Sequence, residues 1–186
     1  MAKWAIRNVV ASIKFNVRLP LEKIATIVEE AEYEPEQFPG LILRFGEGKP
    51  TALLFNTGTI IVSGGRTAED IKNTVEKIKE ILKGLGINLP EHYDINVQNL
   101  VIQGSFDYEN IDVLRMAEEL EDSEYNPEQF PGIVVRYKKD DETATFLVYS
   151  NGKFVCTGVK KLEKAKKIIE EFEEEVIKKY SKPQKK

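Results

Sequence analysis

EYEPEQFPG at positions 32–40 returns as EYNPEQFPG at 124–132, with one difference in nine positions. Outward from this anchor the rest of the chain aligns with itself. RNVV (7–10) matches QNLV (98–101), and LILRF (41–45) matches IVVRY (133–137). TALLFNTG (51–58) matches TFLVYSNG (145–152), and IIVSGG (60–65) matches FVCTGV (154–159). The offset grows only from 91 residues at the first pair to 94 at the last. A period near ninety residues is too long for a solenoid unit, so two copies point to a duplicated half-domain with pseudo-twofold symmetry. The repeats are expected at 1–91 and 92–180, linked by INLPEHYDINV, with a basic disordered tail at 181–186.

Each copy reads the same way. An opening strand carries Asn8 or Asn99, and a helix follows from Leu21 to Ala31 or from Ile111 to Leu120, with apolar residues at helical spacing (Leu21, Ile24, Ile27, Val28). The EYxPEQF segment is expected to be extended by its proline, and Pro-Gly makes a turn. Three short strands follow, separated by Gly/Lys-rich and Thr-Gly or Asn-Gly turns. A long helix closes each copy. The first spans Thr67 to Lys83, with Thr67 as N-cap and Glu69 and Asp70 at its positive end; the second spans Leu162 to about Lys179.

This order predicts an antiparallel α+β fold with helices on one side of a sheet formed by both copies. Side chains alternate across a strand, so Ala52, Leu54, Ile60 and Val62 face one way while Leu53, Phe55, Ile61 and Ser63 face the other. Both sets are apolar, yet the chain has no further helices to cover the second. That face is therefore expected to be a large binding surface.

Composition narrows the classes. The only cysteine, Cys156, excludes an internal disulfide and a cysteine-rich zinc site, and the lone His92 lies in the linker beside Tyr93. No metal, cofactor or catalysis is expected, because no carboxylate pair, nucleophile elbow or phosphate loop recurs, and FGEGKPTAL lacks Walker spacing. No run of eighteen apolar residues exists, and MAKWAIRNVV has charges where a signal peptide needs apolar residues, so the protein should stay in the cytoplasm where it is made. The net charge of −4 hides a segregation: windows 40–66 and 132–161 hold nine Lys/Arg against four Asp/Glu, leaving −9 elsewhere. A neutral-to-basic sheet and an acidic helical layer allow two partners on two faces.

A broad apolar sheet with small polar groups, phenylalanines near turns and a rim of Arg and Lys suits the DNA minor groove. The groove floor at A·T pairs presents only acceptors, so Asn, Thr and Ser can donate to it, while guanine's exocyclic amine would clash with an apolar floor. Arg and Lys would fix the phosphates.

The paired EYxPEQFPG motifs, the strand starts at Asn8 and Asn99 and the Ser-Gly and Thr-Gly turns resemble the TATA-box-binding protein family across residues 4–180, and the EQFPG spelling resembles archaeal members most. The resemblance implies a saddle: two repeats sharing one curved antiparallel sheet, with helices on its convex face. It implies that Asn8 and Asn99 bond the central base edges, with Ser63 and Thr157 beside them. Val10, Val101, Ile61, Val155, Leu53 and Leu147 would form the apolar floor. Phe38 with Phe55, and Phe130 with Tyr149, would be wedges that unstack base steps and kink the duplex, a mode for which this family is itself the standard illustration. Arg44 and Arg136 would contact phosphates, assisted by Lys153 and Lys160.

The implied partners are double-stranded promoter DNA, transcription factor B through Glu124, Asn126 and Glu128, and RNA polymerase indirectly. A monomer is expected on DNA, and the open apolar face allows a dimer when free. Departures from the family pattern are Arg7 opposite Gln98, Ser63 for threonine, Tyr149 for phenylalanine, and the FGEGKP and KKDDET turns. The residues leave open a divergent relative acting through protein contacts, and an accessory domain of a nucleic-acid enzyme.

Overall fold

The computed structural model describes residues 1–183. Two compact units emerge: Asn8–Gln98, and Met1–Arg7 joined to the chain from Asn99 onward. The division between compact units falls between Gln98 and Asn99. Residues 93–98 stay with the earlier unit because Tyr93 lies 5.3 Å from Phe15, its hydroxyl donates to Glu76 (2.8 Å), and Gln98 Nε2 donates to Ser12 Oγ (2.9 Å). The first residues go the other way: a Cβ at Gly104 would lie 2.4 Å from the Lys3 carbonyl oxygen and 2.6 Å from Trp4 Cβ, so the missing side chain admits that backbone.

The earlier repeat comprises β1 (Lys3–Lys14), α1 (Leu21–Ile27), β2 (Ala31–Glu32), β3 (Leu41–Arg44), β4 (Thr51–Leu54), β5 (Thr59–Gly65) and α2 (Ala68–Gly84). Its strands pair antiparallel in the order β2-β3-β4-β5-β1. The later repeat comprises β6 (Asn96–Ser105), β7 (Tyr108–Glu109), α3 (Val113–Glu119), β8 (Ser123–Glu124), β9 (Ile133–Lys139), β10 (Glu142–Val148), β11 (Lys153–Val159), α4 (Leu162–Glu175), a 3-10 turn (Ile177–Tyr180) and β12 (Lys182–Pro183). The order β6-β11-β10-β9-β8 repeats the earlier topology, again antiparallel. The class is α+β, as the alternation of elements predicted.

One face of each array is the core. Ala11, Ile13, Ala52, Leu54, Ile60 and Val62 are fully buried, as are Ile71, Val75, Ile78 and Leu82 of α2, which packs on β5. The later repeat fills the same positions with rings: Phe146 stacks on Phe172 of α4 at 3.9 Å and Phe106 on Phe154 at 4.2 Å. Helix α2 is framed at both ends. Thr67 and Asp70 form a reciprocal capping box. At the other end Ile87 N bonds Leu82 O and Gly86 N bonds Lys83 O, a Schellman stop with Gly86 at φ +83°.

Four expectations are corrected. Helix α1 ends at Ile27, not Ala31, because Val28 is already extended and Ala31 pairs with Leu43. Its counterpart α3 is trimmed to Val113–Glu119, with Asp112 capping Arg115 N (3.1 Å). The EYxPEQF segments are extended only as far as their first glutamate and then turn tightly, with Phe38 N bonded to Glu34 O (3.0 Å) and Phe130 N to Asn126 O (2.9 Å). Proline's fixed φ suits the first position of a helical turn as well as a strand. Finally, Lys182 and Pro183 pair with Glu109 and Tyr108 where a disordered tail was expected; positions 184–186 lie outside the described residues. Among the described residues no helix is long and apolar enough to cross a membrane.

Candidate nucleic-acid interface

The second face of each array remains half exposed. In the earlier unit this holds for Asn8, Val10, Leu53, Phe55, Ile61 and Ser63, and in the later one for Asn99, Val101, Leu147, Tyr149, Val155 and Thr157. Strand register sets them in rows. Ile42, Leu53 and Ile61 are cross-strand neighbours, and so are Val134, Leu147 and Val155. A parallel row runs Arg44, Thr51, Ser63, Val10, matched by Arg136, Thr145, Thr157. Ile42, Val134, Thr51 and Thr145 belong to this face and were missed from the sequence. The signal was present, since each lies an even number of residues from a recognised position on its own strand.

The asparagines are held by a device present in both units. Gly64 N–H donates to Asn8 Oδ1 (2.6 Å), and Gly158 N–H donates to Asn99 Oδ1 (2.8 Å). Each glycine lies at a break in strand register, with φ of +102° and +93°. Among the described residues neither Nδ2 has a protein partner.

Four aromatic residues lie in two pairs. Phe38 meets Phe55 edge to face at 6.0 Å, and Phe130 meets Tyr149 at 5.5 Å. The glycine of each Phe-Pro-Gly turn lies against a ring: a Cβ at Gly40 would be 2.8 Å from Phe38 Cε2 and 3.0 Å from Phe55 Cε1, and at Gly132 3.0 Å from Phe130 Cε1. Phe38 is 39% exposed, unusual for a phenylalanine unless something covers it.

The arginines are not isolated cations. Arg44 Nη1 lies 2.6 Å from Glu32 Oε1, and Arg136 Nη1 lies 3.4 Å from Glu124 Oε1. Glu124, assigned from sequence to a protein partner, is therefore engaged with an arginine assigned to DNA. Asn126 and Glu128 are exposed in the turn that follows β8, as is Lys153 at the start of β11 and Lys160 beyond its end.

Little here supports bond-making chemistry. Burial pushes the Cys156 thiol up to about 12, so it is a neutral core group. Among the described residues no group of three or more His, Cys, Asp or Glu could hold a metal ion. The surface offers amide and hydroxyl donors on an apolar floor, bounded by aromatic pairs and by arginines.

The family described as Transcription factor TFIID (or TATA-binding protein, TBP) matches the chain twice, at residues 3–85 and 94–179. The TATA-box-binding protein of Archaeoglobus fulgidus is 38% identical over 175 residues, covering 94% of this chain and 94% of the relative. That of Thermococcus kodakarensis is 39% identical over 176 residues, covering 92% and 90%. The solved structure of Methanococcus jannaschii TBP superposes with a TM-score of 0.86 at 37% identity, covering 95% of this chain and 99% of that one. With both repeats matched, and likeness in sequence and fold running over nine-tenths of its length, the chain belongs to the TATA-binding protein (TBP) family.

Proposed function

We propose that this protein is a non-enzymatic transcription initiation factor that binds A·T-rich promoter DNA through the minor groove and bends it. The observation that carries the reading is the second sheet face: a half-exposed apolar floor in each unit, with asparagine donors beside it and a partly exposed aromatic pair at its edge. Apolar side chains lie against sugars and base edges, the amides donate to adenine N3 and thymine O2, and the aromatic pairs enter base steps and kink the duplex. Arg44 and Arg136 contact phosphates, with Lys153 and Lys160 assisting. Glu128 and Asn126 then offer transcription factor B a surface outside the groove, and RNA polymerase follows through that factor. The protein acts in the cytoplasm on nucleoid DNA as a monomer, and the same apolar face supports a dimer when free.

Mobility shift on three duplexes tests this. Inosine·cytosine pairs present the minor-groove acceptors of A·T pairs without guanine's 2-amino group, while their major groove resembles G·C. Binding to A·T and I·C duplexes alike, with rejection of G·C, is expected. Preference for G·C, or loss on I·C equal to that on G·C, would overturn the reading.

A further inference from the structure

An asparagine amide has two ends. With its NH2 outward it donates to adenine N3 or thymine O2; turned over, it offers a carbonyl that accepts from guanine's 2-amino group. A freely turning amide at the groove floor would therefore tolerate both kinds of base pair. In this chain neither amide turns freely, because Oδ1 is occupied by a glycine N–H in both units, at 2.6 and 2.8 Å.

The bonds depend on bulges. At Gly64 and Gly158 the register with the neighbouring strand breaks, and positive φ directs the peptide N–H towards the asparagine side chain. A side chain is excluded twice over at Gly158, where a Cβ would lie 2.8 Å from the Thr143 carbonyl oxygen. The sequence around the bulges differs, Ser63-Gly64 against Thr157-Gly158, and yet the hydrogen bond is the same.

We propose that Gly64 and Gly158 are positioning residues for base-pair specificity: their N–H groups lock Asn8 and Asn99 with the donor end outward, so that rejection of guanine comes from amide orientation as well as from the apolar floor. The inference rests on the minor-groove reading above, and supplies a reason why an exposed glycine at a strand bulge bears on sequence choice. Without the lock, the amide turns over opposite guanine and discrimination falls while affinity for A·T pairs is largely kept.

Gly64→Ala is the obvious variant, but its φ of +102° is one that L side chains rarely adopt. Two measurements avoid that strain. In the free protein, a scalar coupling across the hydrogen bond from Gly64 15N to Asn8 13Cγ should be detectable, and the same for Gly158 and Asn99. Asn8→Asp should then keep the glycine bond, since a carboxylate accepts from the same N–H, while turning an acceptor outward. Its general repulsion from phosphates acts equally on every duplex and cancels in a ratio of affinities.

The A·T over G·C preference should fall in the order wild type, Asn8→Ala, Asn8→Asp, with about a tenfold or greater loss for the aspartate, as expected when one base contact is inverted. Absence of the coupling overturns the proposal, and so does an aspartate variant with the preference of the alanine variant. A wild-type chain that shows no A·T preference overturns the minor-groove reading first, and the inference with it; the wild-type lane tells the two failures apart.

Discussion

Replacing the glycine of each Phe-Pro-Gly turn by alanine should separate the wedge from the fold. Neither Gly40 nor Gly132 has positive φ, so alanine is sterically allowed in the backbone of both and lowers unfolded-state entropy by about 0.4–1 kcal/mol. The neighbours differ. At Gly40 the atoms nearest the new Cβ are ring atoms, Phe38 Cε2 at 2.8 Å and Phe55 Cε1 at 3.0 Å, where ordinary contact begins at 3.4 Å. The rings must retreat by roughly half an ångström, and Phe38, being exposed, can do so. At Gly132 the Cβ would also lie 3.0 Å from the Val148 carbonyl oxygen, in a strand held by its pairing with Ile133. Backbone in a ladder cannot retreat in that way, so overpacking of about 1–3 kcal/mol applies there. Gly40→Ala should leave the melting temperature within about 2 °C of wild type, whereas Gly132→Ala should lower it by about 2–6 °C. Energy transfer across an end-labelled A·T duplex should show a smaller bend for both, because each alanine displaces a ring of its aromatic pair, Phe38 and Phe55 at Gly40 and Phe130 at Gly132. Equal melting temperatures for the two variants would refute the steric argument, and an unchanged bend with Gly40→Ala would refute the role of the pair.

Four further outcomes are expected. Glu32→Gln frees Arg44 for phosphate, so DNA affinity should rise and log K against log salt should steepen by about 0.9, with little change in melting; an unchanged slope would mean Arg44 touches no phosphate. Tyr149→Phe should preserve or tighten DNA binding and increase the bend, because a phenolic hydroxyl pushed between bases loses its water; if Tyr149→Ala alters neither quantity, Tyr149 is not a wedge. Glu128→Arg should impair capture of transcription factor B in a pull-down on promoter DNA while DNA affinity stays nearly unchanged, and a joint fall of both would place Glu128 in the groove surface instead. Burial holds the Glu173 carboxyl above its usual range, so its favourable share of stability is full in acid and is lost as pH rises through the folded-state value. Glu173→Gln should therefore melt above wild type at neutral pH and lose that advantage in acid, and a difference constant with pH would contradict it.

Periodicity carried most of the architecture. The alternation in TALLFN and TIIVSG predicted which residues would be buried, and Ala52, Leu54, Ile60 and Val62 are indeed fully so. Thr67 was legible as a cap because its partner Asp70 lies three residues on. What escaped depends on contacts distant in sequence. The pairing of Glu32 with Arg44 needs the register of β2 on β3, and the glycine bonds to Asn8 and Asn99 span 56 and 59 residues. Local ambiguity accounts for the rest. Proline at 35 and 127 fits a strand or a turn equally, and only the bonds from Phe38 and Phe130 decide for the turn. Residues 182–183 look solvated by composition, yet find an open strand edge at Tyr108–Glu109.

The central claim is that the half-exposed sheet face lies in the minor groove, and competition on a single A·T duplex tests it most directly. Netropsin occupies the minor groove of A·T tracts, and methyl green occupies the major groove. Netropsin should displace the protein in proportion to its occupancy while methyl green leaves the complex intact; displacement by methyl green with indifference to netropsin would contradict the account.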